Sequence, residues 1–284
     1  VRLILVAVGA LAVLILGALQ VTAAVALRAQ ALAPSLAHGV PEAIVGAVAA
    51  LEPHAYEPEA LRRVLGADAL ARGDLARAAR FAQSLGSGAD RSALEGAIAQ
   101  ARGDDNAAIA DYLAAGDLVR LEDFIDAIAA RGDYARAETL QSTAIATLQA
   151  TGAQSDTLAE AYYRDARLLQ AHAYALGATT PPGIAYEVRS QDAYTRASTL
   201  APLEERYLIA LGNQDLNLGR LDAARATFAH LRDLDPSSVE ALTGLADASI
   251  RAHDPGTAAG YLDAAAQLAP DSPDVARMRA RLQP

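Results

Sequence analysis

The sequence predicts an all-α chain in which a single membrane-spanning helix precedes a solenoid of about six stacked helix pairs. Three observations carry this. Pro202, Pro236 and Pro270 recur at an interval of 34 residues, the length of one helix-turn-helix unit. The tripeptide Arg-Gly-Asp occurs at 72–74, 102–104 and 131–133, each time between two alanine-rich helical runs. From Leu3 to Leu27 the chain is apolar and uncharged, interrupted only by Gln20 and Thr22, and roughly 20 apolar residues suffice to cross a bilayer as a helix.

Residues 1–28 are therefore expected to form a transmembrane anchor, with Arg2 and Arg28 at the two interfaces. A cleavable signal peptide is the rival reading, and Ala29-Gln30-Ala31 has the small residues of a cleavage site. Signal h-regions run only about 7–15 residues, which favours the anchor. Arg2 and the α-amine put two positive charges before the span, against Arg28 alone after it. The positive-inside rule then places the N-terminus in the cytoplasm and the repeats outside a bacterial inner membrane, in the periplasm of a Gram-negative cell. Along the span Ala10, Ala18, Thr22 and Ala26 form a stripe of small residues broken by Leu14, and Gly9 and Gly17 form another. Such stripes let a second helix approach closely, so Gly9, Gly17, Ala18 and Thr22 are candidate helix-docking positions. An alanine-rich chain also produces such stripes by chance.

Residues 29–57 link anchor to array. Pro34, Gly39 and Pro41 break the chain, and Glu42 to Leu51 is expected to form a short helix with Ile44, Val45, Val48 and Leu51 on one face. That face carries no basic flank, which favours packing under the first repeat over lying on the membrane.

The array is expected over 58–272, in units at about 58–88, 89–117, 118–152, 157–203, 204–237 and 238–271. In the first three units glycine at a helix C-cap is followed by an N-capping Asp, the requirement of a tight interhelical turn. That reading outweighs an integrin-ligand reading of Arg-Gly-Asp. Aligning the turns puts Ala78, Ala108, Ala137 and Ala224 in one small-residue slot and Gly219 in the fifth turn-glycine slot. The fourth unit departs: its first helix, about Thr157 to Leu176, is long, and Gly177 to Gly183 inserts Thr-Thr-Pro-Pro before a second helix beginning near Ile184. Six of the ten tyrosines, Tyr162, Tyr163, Tyr174, Tyr186, Tyr194 and Tyr207, sit in or beside this unit. They either fill the space that the longer helices open or present a partner surface, for which Tyr162, Tyr163 and Tyr186 are the candidates. Residues 273–284 read as a capping helix whose polar face carries Asp274, Arg277, Arg279 and Arg281.

Within the last two units equivalent positions hold equivalent residues. Leu208, Leu211 and Gly212 precede Ala224, Phe228 and Leu231; at the same offsets stand Leu242, Leu245 and Ala246, then Ala258, Leu262 and Ala265. This resembles the tetratricopeptide repeat (TPR) family, in its membrane-anchored bacterial form, over residues 205–272 and more loosely upstream. The resemblance implies a right-handed superhelix of helix pairs in which apolar residues on each first helix grip alanines on the second.

Composition narrows the function. The 24 basic residues are all arginine, and beyond the anchor 22 of them face 34 acidic residues, a net of −12, which excludes nucleic acid and a self-sufficient grip on anionic lipid. Cysteine is absent. His38, His54, His172, His230 and His253 are scattered, so no metal is implied. No phosphate loop, nucleophile elbow or Cys-His arrangement is present, so no cofactor or catalytic residue is expected. Glu122, Asp123 and Asp126 read as a solvated helix face.

The expected activity is binding, without enzymatic chemistry, and the resemblance places it on the first helix of each pair. By register that face holds Arg63, Ala67, Ala93, Ala97, Glu122 and Asp126, then Ile209, Asn213, Asn217, Thr243, Asp247 and Arg251. A carboxylate clamp of the kind some TPR proteins use needs lysines that this chain lacks. A face of small and apolar residues suits a helix or extended segment as ligand. The expected partners are therefore proteins, foremost integral membrane subunits of a secretory, respiratory or photosynthetic complex to which the chain is an accessory scaffold, with the bilayer engaged through 3–27. The alternative is a membrane-tethered adaptor or assembly factor that binds clients transiently.

Overall fold

The computed structural model describes residues 59–282, and among these thirteen α-helices are the only regular elements. They are α1 (Glu59–Ala71), α2 (Leu75–Ser84), α3 (Ala89–Arg102), α4 (Asp105–Ala115), α5 (Leu118–Ala130), α6 (Tyr134–Ala150), α7 (Ser155–Leu176), α8 (Pro181–Leu200), α9 (Glu205–Asn217), α10 (Leu221–Leu234), α11 (Val239–Arg251), α12 (Pro255–Leu268) and α13 (Pro273–Leu282). The expected anchor, with Gly9, Gly17, Ala18 and Thr22, and the short helix over 42–51 lie outside the described residues. Among the described residues no helix is long and apolar enough to cross a membrane. The chain divides into two compact units, with the boundary inside α5 between Phe124 and Ile125.

One turn geometry joins most of the helix pairs. At Gly73, Gly103, Gly132 and Gly219 the backbone enters the left-handed region, with φ of 77°, 78°, 86° and 71°. The glycine and the residue after it donate back to the ending helix: Gly73 N to Leu70 O at 2.9 Å and Asp74 N to Ala69 O at 2.9 Å, repeated at Gly103–Asp104, Gly132–Asp133 and Gly219–Arg220. This is a Schellman closure, which satisfies the orphan carbonyls of the first helix. Asp74, Asp104 and Asp133 then cap the second helix, accepting from the amides of Arg77, Ala107 and Arg136 at 2.9, 3.2 and 3.2 Å. The sixth turn repeats the geometry with a different residue. His253, at φ 59°, stands where the others have glycine, and Asp254 caps α12 through the Thr257 amide.

In the first unit α1 packs on α2 and α3 around Ala69, Ala78, Ala82, Leu85, Leu94 and Ile98, and α3 packs on α4. Ala78 and Ala108 are fully inaccessible. Helix approach is close at Gly96, where an added Cβ would lie 2.9 Å from the Tyr112 ring.

In the second unit each helix from α6 to α13 packs on the next, and the first helices α9, α11 and α13 also touch one another in series. Ala137, Ala224 and Ala258 are fully buried in the small-residue slot, and Ala224 packs in one cluster with Leu208 and Leu245. Phe228, 1% exposed, is shared between neighbouring pairs: an added Cβ at Gly212 of α9 or at Gly244 of α11 would lie 2.6 Å from its ring. Burying such a ring contributes about 1.5–3 kcal/mol.

The fourth pair, α7 and α8, runs 22 and 20 residues. α8 begins at Pro181 rather than near Ile184, so Pro181 and Pro182 belong to its first turn instead of an inserted loop. Proline is tolerated there because the first amides of a helix have no intrahelical acceptor, and Thr180 supplies the cap by accepting from Gly183 N at 3.2 Å. Gly183 is where the two helices close: a Cβ there would collide with the Gly177 backbone.

Candidate protein-interaction groove

The first helices of the last two pairs and the C-terminal helix enclose a groove of about 280 Å³. Ile209, Asn213 and Leu216 of α9 form one wall, Thr243, Gly244 and Asp247 of α11 another, and Asp274, Arg277, Met278 and Arg281 of α13 the third; Phe228 is the floor. That volume falls just below the range of about 300–1,000 Å³ usual for small-molecule sites, and it holds one or two side chains. α13 is seated by Val275, 3% exposed, with Met278 and Leu282 packed against Leu242, Ala246, Leu262 and Ala265. Asp274, Arg277, Arg279 and Arg281 are exposed.

Asp247 ties the groove together. Its side chain is 9% exposed; Oδ2 accepts from Arg251 at 3.0 Å and Oδ1 from Arg281 of α13 at 2.8 Å. Arg251 also donates to Leu216 O at 2.8 Å, so the three groups join α9, α11 and α13. Charge-assisted bonds at a partly desolvated site are the stronger kind.

Of the candidates read from sequence, Asn213 is exposed and lines the groove, and Thr243 and Ile209 line it half-buried. Asn217 is exposed at the end of α9, outside the lining. Asp247 and Arg251 are committed to holding helices together rather than offered to a ligand. In the first unit Ala67 is exposed, Ala93 and Ala97 are half-buried, and Arg63 pairs with Asp90 of the next repeat at 3.0 Å. Glu122 is half-buried, and Asp123 and Asp126 are exposed on α5. No group of three metal-ligating side chains occurs among the described residues.

The tyrosines belong chiefly to the interior. Tyr162 is 7% exposed, its hydroxyl held by Gln149 at 2.9 Å and Arg196 at 3.3 Å, so it is packing and not partner surface. Tyr163 is half-buried and packs, rings tilted, between Tyr194 and Tyr207, with ring centroids 5.7 and 5.1 Å away, and Arg206 lies over it. Tyr186 is half-buried between His172 and Arg189, and His172 stacks in turn on Tyr134 of α6. The longer helices therefore fill their own space with rings. Tyr174 differs, at 61% exposed.

Sequence reasoning missed a buried polar layer across α7, α8 and α9. Gln214, 1% exposed, accepts from Gln170 at 2.8 Å and donates to the Glu187 carbonyl at 2.9 Å and to its carboxylate. Asp215, 2% exposed, accepts from Gln191 at 3.2 Å, and Arg220 donates to Gln191 at 2.7 Å. Burial raises the Asp215 carboxyl against the opposing Gln191 bond and Arg220 charge. At Glu160 burial also pushes upward, yet bonds from Arg164 and Tyr207 and the charges of Arg164 and Arg206 outweigh it and hold the group below its usual range. No signal in the sequence separates these polar residues from surface ones, because their partners stand on other helices, 24 to 44 residues away.

Residues 215–282 match the tetratricopeptide repeat family model. No curated protein matches the chain. Among solved structures the chain is similar to the C-terminal part of a TPR repeat-containing protein from Cytophaga hutchinsonii, with TM-score 0.50 and 14% identity over 88% of this chain and 98% of that one, which shows a shared fold. YrrB, described as a TPR protein with an unusual peptide-binding site, aligns with TM-score 0.44 and 15% identity over 83% of this chain and 97% of its own. MamA from Desulfovibrio magneticus RS-1 aligns with TM-score 0.44 and 19% identity over 75% and 97%. The family model and the fold together support the tetratricopeptide repeat assignment of the helical array.

Proposed function

We propose that this chain is a membrane-anchored, non-enzymatic scaffold, an accessory subunit of an integral membrane complex, that receives a polypeptide segment of a neighbouring subunit in the groove between α9, α11 and α13. Tetratricopeptide repeats mediate protein–protein contact, and their fold is typically non-enzymatic. The observation that carries the reading is the groove: exposed Asn213 and half-buried Thr243 border the apolar Phe228 floor and the Met278 side chain of the third wall, and Arg251, Asp247 and Arg281 hold the walls in place. An amide and a hydroxyl beside an apolar floor suit a peptide backbone with one inserted side chain. The apolar run from Leu3 to Leu27 supports the anchor, and the charge bias around it supports a cytoplasmic N-terminus with extracytoplasmic repeats in a bacterial inner membrane.

The test is gentle detergent extraction from the native membrane, native-gel separation and mass spectrometry of what migrates with the chain. Comigration with integral membrane proteins at fixed stoichiometry is expected. Migration alone, or with varied and substoichiometric clients, contradicts the subunit reading and leaves a tethered adaptor.

A further inference from the structure

The end of the α7–α8 hairpin is unlike the turns that join the other helix pairs. From Leu168 to Tyr186 the chain carries no Asp, Glu, Lys or Arg, although charged residues make up 20% of the protein. Between those positions the exposed residues are Ala171, Tyr174, Ala175, Leu176, Thr179, Pro181, Pro182, Ile184 and Ala185, all but Thr179 apolar or aromatic. Tyr174, Ile184 and Leu176 are 61%, 47% and 38% exposed. The turns at Gly73, Gly103, Gly132, Gly219 and His253 present Arg, Asp or His to solvent.

Neighbouring hairpins stop short of this tip. On one side the start of α6 reaches His172 through Tyr134, level with Tyr186 on the far side of that ring, and Glu138 one turn further in holds His172 and Arg189. On the other the α9–α10 turn reaches Gln191 through Arg220, and Gln214 meets Gln170 and Glu187. About four residues of each helix lie beyond these contacts, an overhang of roughly 6 Å at 1.5 Å per residue. A contiguous exposed apolar patch marks a docking surface.

We infer that the charge-free tip formed by Tyr174, Leu176, Pro181, Pro182 and Ile184 inserts into the interfacial layer of the lipid bilayer. This rests on the reading of residues 3–27 as an anchor. A protruding tip with no charge, and with little side-chain hydrogen bonding beyond Tyr174 and Thr179, has nothing to pair with on a polar protein surface. An interfacial layer accepts it without shape complementarity. Interfacial elements bury their apolar face about 5–10 Å deep, which the overhang matches, and tyrosine is enriched at that depth. The stretch between Arg28 and Glu59 reaches at most roughly 100 Å when extended, so an anchored array is tethered to the membrane and a weak interfacial affinity suffices. With no basic residue in the tip, insertion needs no anionic lipid and is indifferent to salt.

The chain contains no tryptophan, so Tyr174→Trp in the full chain introduces a single emitter. The protein is reconstituted in zwitterionic phosphatidylcholine nanodiscs with and without brominated acyl chains, and resistance to carbonate extraction is measured in parallel on vesicles. The expected result is carbonate-resistant protein whose tryptophan emission is blue-shifted and strongly quenched by brominated lipid at low and high salt, the quenching being lost in the Leu176→Asp/Ile184→Asp background. Carbonate-resistant protein with water-like emission overturns the tip insertion and leaves the anchor standing. Blue-shifted but unquenched emission, meaning cover by a second copy, overturns it as well. Protein released by carbonate overturns the anchor and the inference with it.

Discussion

Phe228 occupies the space that a side chain at Gly244 would need: a Cβ on Gly244 would lie 2.6 Å from three carbons of the ring. Gly212 meets the same ring from the preceding first helix. Glycine in a helix interior ordinarily costs about 0.5–1 kcal/mol relative to alanine, and here that cost is offset by the close approach it permits.

Gly244→Ala is therefore expected to destabilise the second unit by about 1–3 kcal/mol, opposite to the usual effect of Gly→Ala in a helix. Thermal denaturation followed by circular dichroism checks the sign. Adding Phe228→Leu makes room for the new methyl, so the double variant loses less than the sum of the single losses.

His253 stands in the left-handed position held by Gly73, Gly103, Gly132 and Gly219 in the turns of other pairs. A left-handed residue with a Cβ costs about 1–2 kcal/mol, partly offset by the extra backbone entropy glycine loses on folding. His253→Gly is expected to raise the stability of the α11–α12 pair by up to about 1 kcal/mol. Gly103→Ala is expected to lower that of α3–α4 by about 1 kcal/mol for the same reason. Urea denaturation midpoints of the two variants shift in opposite directions if the account holds.

Burial pushes the Asp165 carboxyl up to about 6, with Arg189 and Arg196 opposing and Glu138 reinforcing the shift. The unfolded value lies near 3.8, so between roughly pH 4 and 6 the native state holds a proton that the unfolded chain has released. Stability from this group is full at the acid end and is lost as pH rises through about 6. Asp165→Asn is expected to stabilise the protein by about 1–3 kcal/mol at pH 7 and to make little difference near pH 4. Melting temperatures measured across that window decide it: a gain independent of pH contradicts the assignment.

Asp247→Ala removes the acceptor shared by Arg251 and Arg281. The expected cost is about 1–2 kcal/mol, localised to the docking of α13. Hydrogen exchange should quicken over α13 and the end of α11 while the amides of α7 and α8 keep their protection.

What was legible in the sequence was the repeat grammar. The turn glycines and capping aspartates at 73–74, 103–104 and 132–133 show themselves because a Schellman turn admits few residues, and the alanines at 78, 108, 137, 224 and 258 because helices cross too closely there for anything larger. Less was legible where partners lie far apart in sequence. The Asp247–Arg281 bond spans 34 residues and the Gln170–Gln214 bond 44, and polar residues paired at such distance look like surface ones until the fold joins them. Pro181 and Pro182 read as a loop because proline breaks most helices, yet at the first turn it fits. Of the candidate binding residues, Asn213 stands open at the groove, whereas Asp247, Arg251 and Tyr162 are taken up by the protein itself, since exposure on a helix face cannot be told from register alone.

The central claim is that the groove beside Asn213 receives a segment of a membrane-protein neighbour. A photo-crosslinking amino acid placed at Asn213, with Ala226 on the second helix of the same pair as the control, tests it directly in native membranes. The account predicts one discrete, stoichiometric crosslink to an integral membrane protein from position 213 and none from 226. A ladder of varied products from 213, or equal crosslinking from both positions, contradicts it.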